Sequence, residues 1–179
     1  MRIISYKGKS QKVSKEFIRA WIQASASVLA FHKMPVTEMN IKILPKTDPS
    51  MQNNPLTGGN NGGWYQSSTN TIALADWIDK ENLATIILHE MIHAGCGDFG
   101  EGTNEKCTST LTGKLKPTVS IIAQTLLEAT YRNAAYIALT RKTKNGVDMH
   151  YRAKDGDFYD DSQWIKTEPT DKYKKSVMG

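Results

Sequence analysis

The sequence predicts an α+β domain in which a small mixed β-sheet is combined with amphipathic helices. Apolar side chains recur at helical spacing after Ser14 and again over 79–97 and 118–144. Short segments within 40–45 and 63–75 are instead rich in β-branched and aromatic residues, which is typical of strands. Together these elements predict an α+β architecture.

The first part of the chain is predicted to supply a strand, a helix and a second strand. Residues 2–6 form a short β-like run, and Ser14 then caps a helix. The apolar side chains of that helix fall on one face, with the small Ser25 between them: Phe17, Ile18, Trp21, Ile22, Val28 and Leu29. The alternating segment 40–44 is predicted to be a strand that Pro45 ends.

A loop and a hairpin are predicted next. Residues 48–61 are rich in glycine and asparagine and form either a flexible flap or a plain hairpin loop. Segments 63–66 and 71–75 then pair as a β-hairpin about 67–70.

The following part is predicted to be helical. Asp79 caps a helix that the glycines of Gly95-Cys96-Gly97 end. Thr103 caps a second helix, and Pro117 ends it because the residue before a proline is pushed out of the helical region. Residues 118–144 form a third, long packing helix.

Composition changes after this helix, which predicts a domain over 1–146 and a C-terminal arm over 147–179. A hairpin about Asp155-Gly156 is predicted to join 147–153 to 158–165, followed by a loose polar tail.

Composition is that of an ordinary globular protein. Hydrophobic residues make up 39% of the 179, and 23 Lys and Arg face 18 Asp and Glu. The net charge of +5 permits weak attraction to nucleic acid but establishes no such partner, and nothing indicates an oligomeric state. No run has transmembrane length and the N-terminus lacks a secretory signal, so we expect a cytoplasmic protein of a bacterium or of a virus-infected cell. We expect Cys96 and Cys107 to be free thiols there.

The sequence His89-Glu90-Met91-Ile92-His93 carries the clearest chemical signal. Helical residues four apart lie one above the other, so His89 and His93 can bind one Zn²⁺. Glu90 lies beside the open side of such a metal, where it can act as the general base toward an activated water.

A catalytic zinc usually has three protein ligands, so a third must come from elsewhere in the chain. Glu105 is the predicted ligand because it falls in the first turn of the helix that Thr103 is expected to cap. Glu101, on the far side of Gly102 and outside that helix, is the alternative. His32 is interpreted as a cation at a helix C-terminus.

These residues resemble those of the zincin superfamily of metallopeptidases, without fitting one member. A metzincin would have Gly and His where Cys96 and Phe99 stand. Asn104-Glu105 resembles the ligand pair of the gluzincin branch, although Ser109 replaces the Asp of that pattern. Residues 88–94 are similar to the motif of SprT-like proteases, and 105–117 are similar to a helix of ImmA/IrrE-type proteases.

The resemblance implies a zincin-like fold, a zinc cofactor, and a protein or peptide substrate that pairs with an edge strand over the cleft, here along 63–75. An edge strand that merely closes the sheet is the alternative. The residues predicted to contact substrate are Trp64, Tyr65, Ile72 and Ala73.

An oxyanion donor is also expected, and no sequence rule selects it. The available candidates are Tyr65, Tyr131, Tyr136, His150 and Tyr151, and the adjacent pair His150-Tyr151 is the preferred one.

The predicted function is therefore zinc-dependent hydrolysis of peptide bonds. The alternative is a zinc-binding interaction protein on the same scaffold, with little or no turnover, that acts on DNA-bound or regulatory proteins. A helical protein without metal is the third hypothesis.

Overall fold

The computed structural model describes residues 1–52, 54, 58–96, 101–140, 150–153 and 164–167. For 101–105, 131–140 and the last two segments it describes the backbone alone. The chain forms two compact units, Met1–Gln124 and Thr125–Gly179. The predicted division into 1–146 and 147–179 stays a prediction.

The fold is α+β with a small mixed sheet, as the sequence predicts, and the described residues form three α-helices where four were expected. The strands of this sheet are β1 (Arg2–Lys7), β2 (Glu38–Leu44), β3 (Gly63–Gln66) and β4 (Thr71–Ala75). The helices are α1 (Lys15–Phe31), α2 (Lys80–Cys96) and α3 (Glu101–Thr140). None of the helices in the described part of the chain is long and apolar enough to span a membrane.

The strand order of the sheet is β1-β2-β4-β3. β1 pairs with β2 and β2 with β4 in parallel, whereas β3 pairs with β4 in antiparallel fashion. The hairpin of β3 and β4 is as predicted, but β4, which immediately precedes α2, is an interior strand. All five of its residues are buried. The edge beside α2 therefore belongs to β3 alone.

α1 packs as the sequence predicts. The Ser14 hydroxyl accepts a hydrogen bond from the Phe17 amide at 3.2 Å and caps the helix. Every member of the predicted apolar face is buried. Ser25 is also fully buried, and its hydroxyl donates to the Trp21 carbonyl at 2.6 Å, so the small polar residue is satisfied within the core.

α2 begins where Asp79 predicts, but Gly95 does not end it. The Asp79 carboxylate accepts a hydrogen bond from the Asn82 side chain at 2.7 Å and one from its amide at 3.3 Å. Gly95, expected to be a left-handed cap, lies inside the helix instead. A Cβ at that position would lie 2.9 Å from the Met34 carbonyl oxygen, so this glycine permits a close approach of backbones. Gly97 lies outside the described residues.

α3 is one helix where two were predicted. It starts at Glu101, so Thr103 lies within its first turn and is not its cap, and it continues through Pro117 to Thr140. A proline in a helix interior costs about 3 kcal/mol. Leu115 and Val119, on either side of Pro117, are both buried. Burial of a continuous apolar stripe thus outweighs the local preference to stop.

The described part of the loop between β2 and β3 is well anchored. Pro49–Met51 form a short 3₁₀ turn, and Met51 is completely buried. The Asn61 side chain donates to the Ser50 carbonyl at 3.1 Å, and the Trp64 indole donates to the Ser50 hydroxyl at 3.0 Å. These contacts fix the start of β3.

The second unit contains a two-stranded antiparallel pair, β5 (His150–Ala153) and β6 (Trp164–Thr167). Two strands were predicted here. Their register places His150 opposite Thr167, so the second strand begins later than expected and the connection is longer than a tight turn. Asp155-Gly156 lie outside the described residues.

Candidate metal centre

His89 and His93 lie one above the other on α2, as their spacing requires. Their Nε2 atoms are 3.2 Å apart, and the two rings meet edge to face with centroids 4.9 Å apart. His93 is 9% exposed and His89 is half-buried. The pair therefore directs two ring nitrogens at one point on the helix surface.

This separation fits a shared zinc ion. Two nitrogens at about 2.0–2.1 Å from a tetrahedral zinc stand about 3.3 Å from each other. Without a cation, two neutral imidazoles reach this distance only if one Nε2 donates its proton to the other. A metal takes the place of that proton with both rings neutral, so the donor set of His89 and His93 suits zinc.

Glu90 is buried beside this pair, under the first residue of β3. Its side chain is 8% exposed. A Cβ on Gly63 would lie 3.5 Å from Glu90 Cγ and 2.7 Å from Ile86 Cγ2. The side chain of the predicted general base therefore packs beneath the edge strand, one residue along α2 from His89.

The two glycines before Trp64 hold β3 against α2. A Cβ on Gly62 would meet Ile86 Cδ1 at 2.5 Å and Ile78 Cδ1 at 3.0 Å, and one on Gly63 would overlap Ile86. The sequence suggested only a turn here. The informative signal is the adjacent Gly62-Gly63 at the entry to a strand, since such glycines often mark a close backbone approach.

Hydrogen-bond alternation determines which residues of β3 face the outer edge. The Ala75 amide donates to the Gly62 carbonyl at 2.9 Å, and these residues oppose each other in the antiparallel register. Bonded and non-bonded pairs alternate from that point, so Trp64 directs its backbone groups to β4. Gly63 and Tyr65 direct theirs to the outer edge.

Three of the four residues predicted to contact substrate are turned away from that edge. Ile72 and Ala73 are fully buried in β4, which is paired on both sides. Trp64 lies on the face of the sheet opposite Gly63, because successive residues alternate, and its indole is bonded to Ser50. Tyr65 shares the face of Gly63, and its hydroxyl donates to the Asn70 side chain at 3.1 Å.

The predicted third ligand, Glu105, lies on α3, and so does its alternative, Glu101. Both side chains lie outside what the structure describes. Among the described side chains, no group of three His, Cys, Asp or Glu could hold a metal. His32 is exposed at the C-terminal cap of α1, where a cation was expected.

α3 approaches α2 close to the histidines. Lys116 Nζ donates to the Thr85 hydroxyl at 2.8 Å, and Thr85 precedes His89 by one helical turn. On the same side of α3, Thr108 and Thr112 are buried, and the Thr112 hydroxyl donates to the Thr108 carbonyl at 2.7 Å. Lys116 is not among the residues that the sequence pattern predicts to be functional.

The remaining candidates are the preferred oxyanion donors and the two cysteines. His150 and Tyr151 lie in β5, within the second unit, and their side chains lie outside the described part of the chain. Cys96 and Cys107 are free thiols. Cys96 Sγ lies 3.3 Å from Met34 Sδ, and burial raises the pKa of its thiol.

No protein-family model, no curated protein and no solved structure matches this chain. A functional assignment therefore depends on the residues of the site and on their geometry.

Proposed function

We propose that this protein is a zinc-dependent metallopeptidase of the zincin type, in which His89 and His93 bind the metal and Glu90 is the general base. The observation that carries the proposal is the 3.2 Å separation of the two Nε2 atoms beside a buried carboxylate under an edge strand. Two imidazoles at ligand spacing, an adjacent base and a strand edge are the parts that hydrolysis of an extended peptide requires.

Glu105 is the proposed third ligand, and its position on α3 supports this role. Thr108 and Thr112 follow it by three and seven residues, so all three positions share one helical face. Because Thr108 and Thr112 are buried, position 105 extends the inward stripe of α3 by one turn toward its N-terminus.

The contact between the two helices supports Glu105 over Glu101 as the proposed ligand. Thr85 and His93 are about 12 Å apart along α2, at 1.5 Å per residue. Lys116 and Glu105 are about 16 Å apart along α3, and a lysine side chain leans toward the N-terminus of its helix by about one turn, or 5 Å. For α3 antiparallel to α2, the contact of Lys116 with Thr85 puts position 105 near the level of His93. Glu101 lies about one turn beyond it.

The proposed chemistry is addition of water to a peptide carbonyl. Zinc, when bound, supplies Lewis acidity that polarises the carbonyl and acidifies water. Glu90 accepts a proton from the attacking water and delivers it to the departing amine. One water is consumed, and one peptide bond becomes a carboxylate and an amine.

The substrate is proposed to lie along β3. The sheet has two edges among its described strands, and they differ in character. β1 carries Arg2 and Lys7 and has a register shift between Ile3 and Ser5, which are devices that discourage pairing with another strand. β3 has no charged residue, and Gly63 turns its backbone groups outward directly above the proposed base.

Cleavage by the Glu90→Gln variant tests this function. We would incubate wild-type and variant protein with an unfolded, unlabelled protein such as reduced casein, identify new termini by mass spectrometry, and measure zinc in both samples. The proposal expects specific cleavage by the wild type, none by Glu90→Gln, and equal zinc in the two. The variant keeps the size of the side chain and one carbonyl acceptor, but its amide cannot accept a proton as a carboxylate does.

Two results would contradict the proposal. Cleavage by Glu90→Gln at the wild-type rate would show that Glu90 is not the general base. Equal zinc with no cleavage of any protein, together with a cellular activity that survives Glu90→Gln, would favour the zinc-binding interaction protein.

A further inference from the structure

Lys116 is a cation with a neutral partner beside the proposed metal centre. Its Nζ donates to Thr85 Oγ1 at 2.8 Å, and the Thr85 hydroxyl is directed to the Glu81 carbonyl at 3.3 Å. Within the part of the chain whose side chains are described, this hydroxyl is the one polar partner of Lys116. A lysine ammonium has three donors, so two of them are directed elsewhere.

The ammonium lies on the opposite side of the histidines from Glu90. Thr85 and His89 are one turn, or about 6 Å, apart along the helix. On a wheel of about 100° per residue, Thr85 is followed by His89 at about 40°, His93 at about 80° and Glu90 at about 140°. The imidazoles are therefore flanked by Lys116 on one side and by Glu90 and β3 on the other.

A half-buried ammonium in such a place favours an anionic ligand. Lys116 is only partly exposed, and one of its three donors is directed to the Thr85 hydroxyl, so protein replaces part of its hydration shell. A threonine hydroxyl satisfies one proton but neutralises no charge. A carboxylate would do both, with a charge-assisted hydrogen bond.

We propose that Lys116 binds a carboxylate of the substrate, so that the enzyme prefers peptides with a negative charge close to the scissile bond. This inference rests on the proposed function. Thr85, which binds the ammonium, lies one helical turn from His89, and a strand advances about 3.3 Å per residue, so we expect the carboxylate within a few residues of the cleaved bond. The carboxylate belongs either to an acidic side chain or to a C-terminus.

Binding to the Glu90→Gln protein tests the proposal without turnover. Fluorescent peptides of one sequence would carry Glu, Gln or Lys at each position in turn, and a second set would end in a free acid or an amide. Dissociation constants would be measured by fluorescence anisotropy with zinc-loaded and with chelator-treated protein. The first set detects a side-chain carboxylate and the second a C-terminal one.

Four variants in the Glu90→Gln background separate charge from structure. Lys116→Met removes the charge, Lys116→Glu reverses it and Lys116→Arg retains it. Lys114→Met is the matched control, because Lys114 is exposed on the same helix two residues away. Thermal unfolding of each variant verifies that the fold is retained.

We expect a preference for acidic over neutral peptides of about 10-fold or more, as hydrogen bonds to charged groups give. Lys116→Met should abolish it, Lys116→Glu should invert it toward lysine-bearing peptides, and Lys116→Arg and Lys114→Met should keep it. The preference should persist after zinc removal, since the lysine and not the metal provides it. Equal discrimination by Lys116→Met, or no discrimination with Lys116 present, overturns the proposal.

The two proposals fail in different ways. Charge-dependent binding without cleavage by the wild type would contradict the proposed peptidase activity but support the role of Lys116 in binding a carboxylate. Cleavage of acidic and neutral peptides at equal rates would contradict the role of Lys116 but support the proposed peptidase activity.

Discussion

Gly63→Ala is the substitution that most directly probes how β3 is held over the site. The new Cβ would lie 2.7 Å from Ile86 Cγ2 and 3.0 Å from the Ala73 carbonyl oxygen. Carbon atoms in contact stand about 3.5–4.0 Å apart, so the overlap with Ile86 is about 1 Å. Ile86 Cγ2 can move only by a change of χ1, which is restricted for a β-branched residue in a helix, and the Ala73 oxygen is backbone, so we expect β3 to move away from α2 by a similar distance.

The magnitude follows from this displacement. Overpacking of this kind costs about 1–3 kcal/mol, which for a chain of this size lowers Tm by about 2–12 °C. A shift of about 1 Å in a substrate-positioning element lowers kcat/KM by about 100-fold. Gly62→Ala is the matched control, because its Cβ would overlap the Cδ1 ends of Ile86 and Ile78, which can rotate away, and would otherwise meet Ile86 Cγ1 at an ordinary 3.5 Å. We expect it to cost less than half as much.

Thermal unfolding and peptide cleavage of the two variants would be compared with the wild type. Truncation of the clashing side chain in Gly63→Ala/Ile86→Ala should recover part of the loss, giving a coupling energy that the single substitutions lack. A Gly63→Ala protein with wild-type Tm and activity, or a larger cost at Gly62, would refute the proposed packing of β3 on α2.

Three further predictions concern stability and reactivity. Hydrogen bonds from Asn82 hold the pKa of the Asp79 carboxyl below its usual range, so the cap stabilises α2 above the ordinary aspartate pKa and is lost as pH falls through the folded-state pKa. Unfolding curves of Asp79→Ala and wild type should therefore separate at neutral pH and converge in acid; a gap that widens in acid would be inconsistent with this. Pro117→Ala should raise the free energy of unfolding in urea by about 1–3 kcal/mol, because it restores a helical N–H and removes a ring clash, and an unchanged value would argue against a continuous α3. Iodoacetamide at neutral pH should alkylate the exposed Cys107 before Cys96, whose thiol pKa is raised by burial, and mass spectrometry finding equal rates would argue against that burial.

Local sequence signals located most of the elements in the first 96 residues. Ser14 and Asp79 cap helices as expected, because a short polar side chain before an apolar periodic run satisfies amides that the helix leaves open. Pro45 lies just after the end of β2, where a missing N–H ends a ladder.

Local sequence signals gave wrong predictions where tertiary packing determines the end of a helix or the position of a strand in the sheet. Pro117 should end a helix, yet buried residues on both sides of it keep α3 continuous. The run 71–75 is too short for its periodicity to distinguish an edge strand from an interior one, so the substrate edge was extended over a strand that is paired on both sides. Only the three-dimensional order of the strands separates β3 from β4.

The geometry of the candidate site could likewise be predicted from the sequence only in part. The spacing of His89 and His93 is enough to predict that their nitrogens converge, because a helix fixes the relation of residues four apart. Nothing local relates Gly63 to Glu90 or Lys116 to Thr85, which lie 27 and 31 residues apart in the chain and are brought together by packing alone.

Zinc content per chain tests the central claim most directly. The protein would be expressed without a metal-binding tag, dialysed against metal-free buffer and analysed by inductively coupled plasma mass spectrometry beside His93→Gln and Glu105→Gln. We predict about one zinc per chain in the wild type, its loss in His93→Gln and a weakened, partial occupancy in Glu105→Gln. A folded wild-type protein with no stoichiometric zinc after loading, or with zinc that His93→Gln leaves unchanged, would contradict the proposed metal centre.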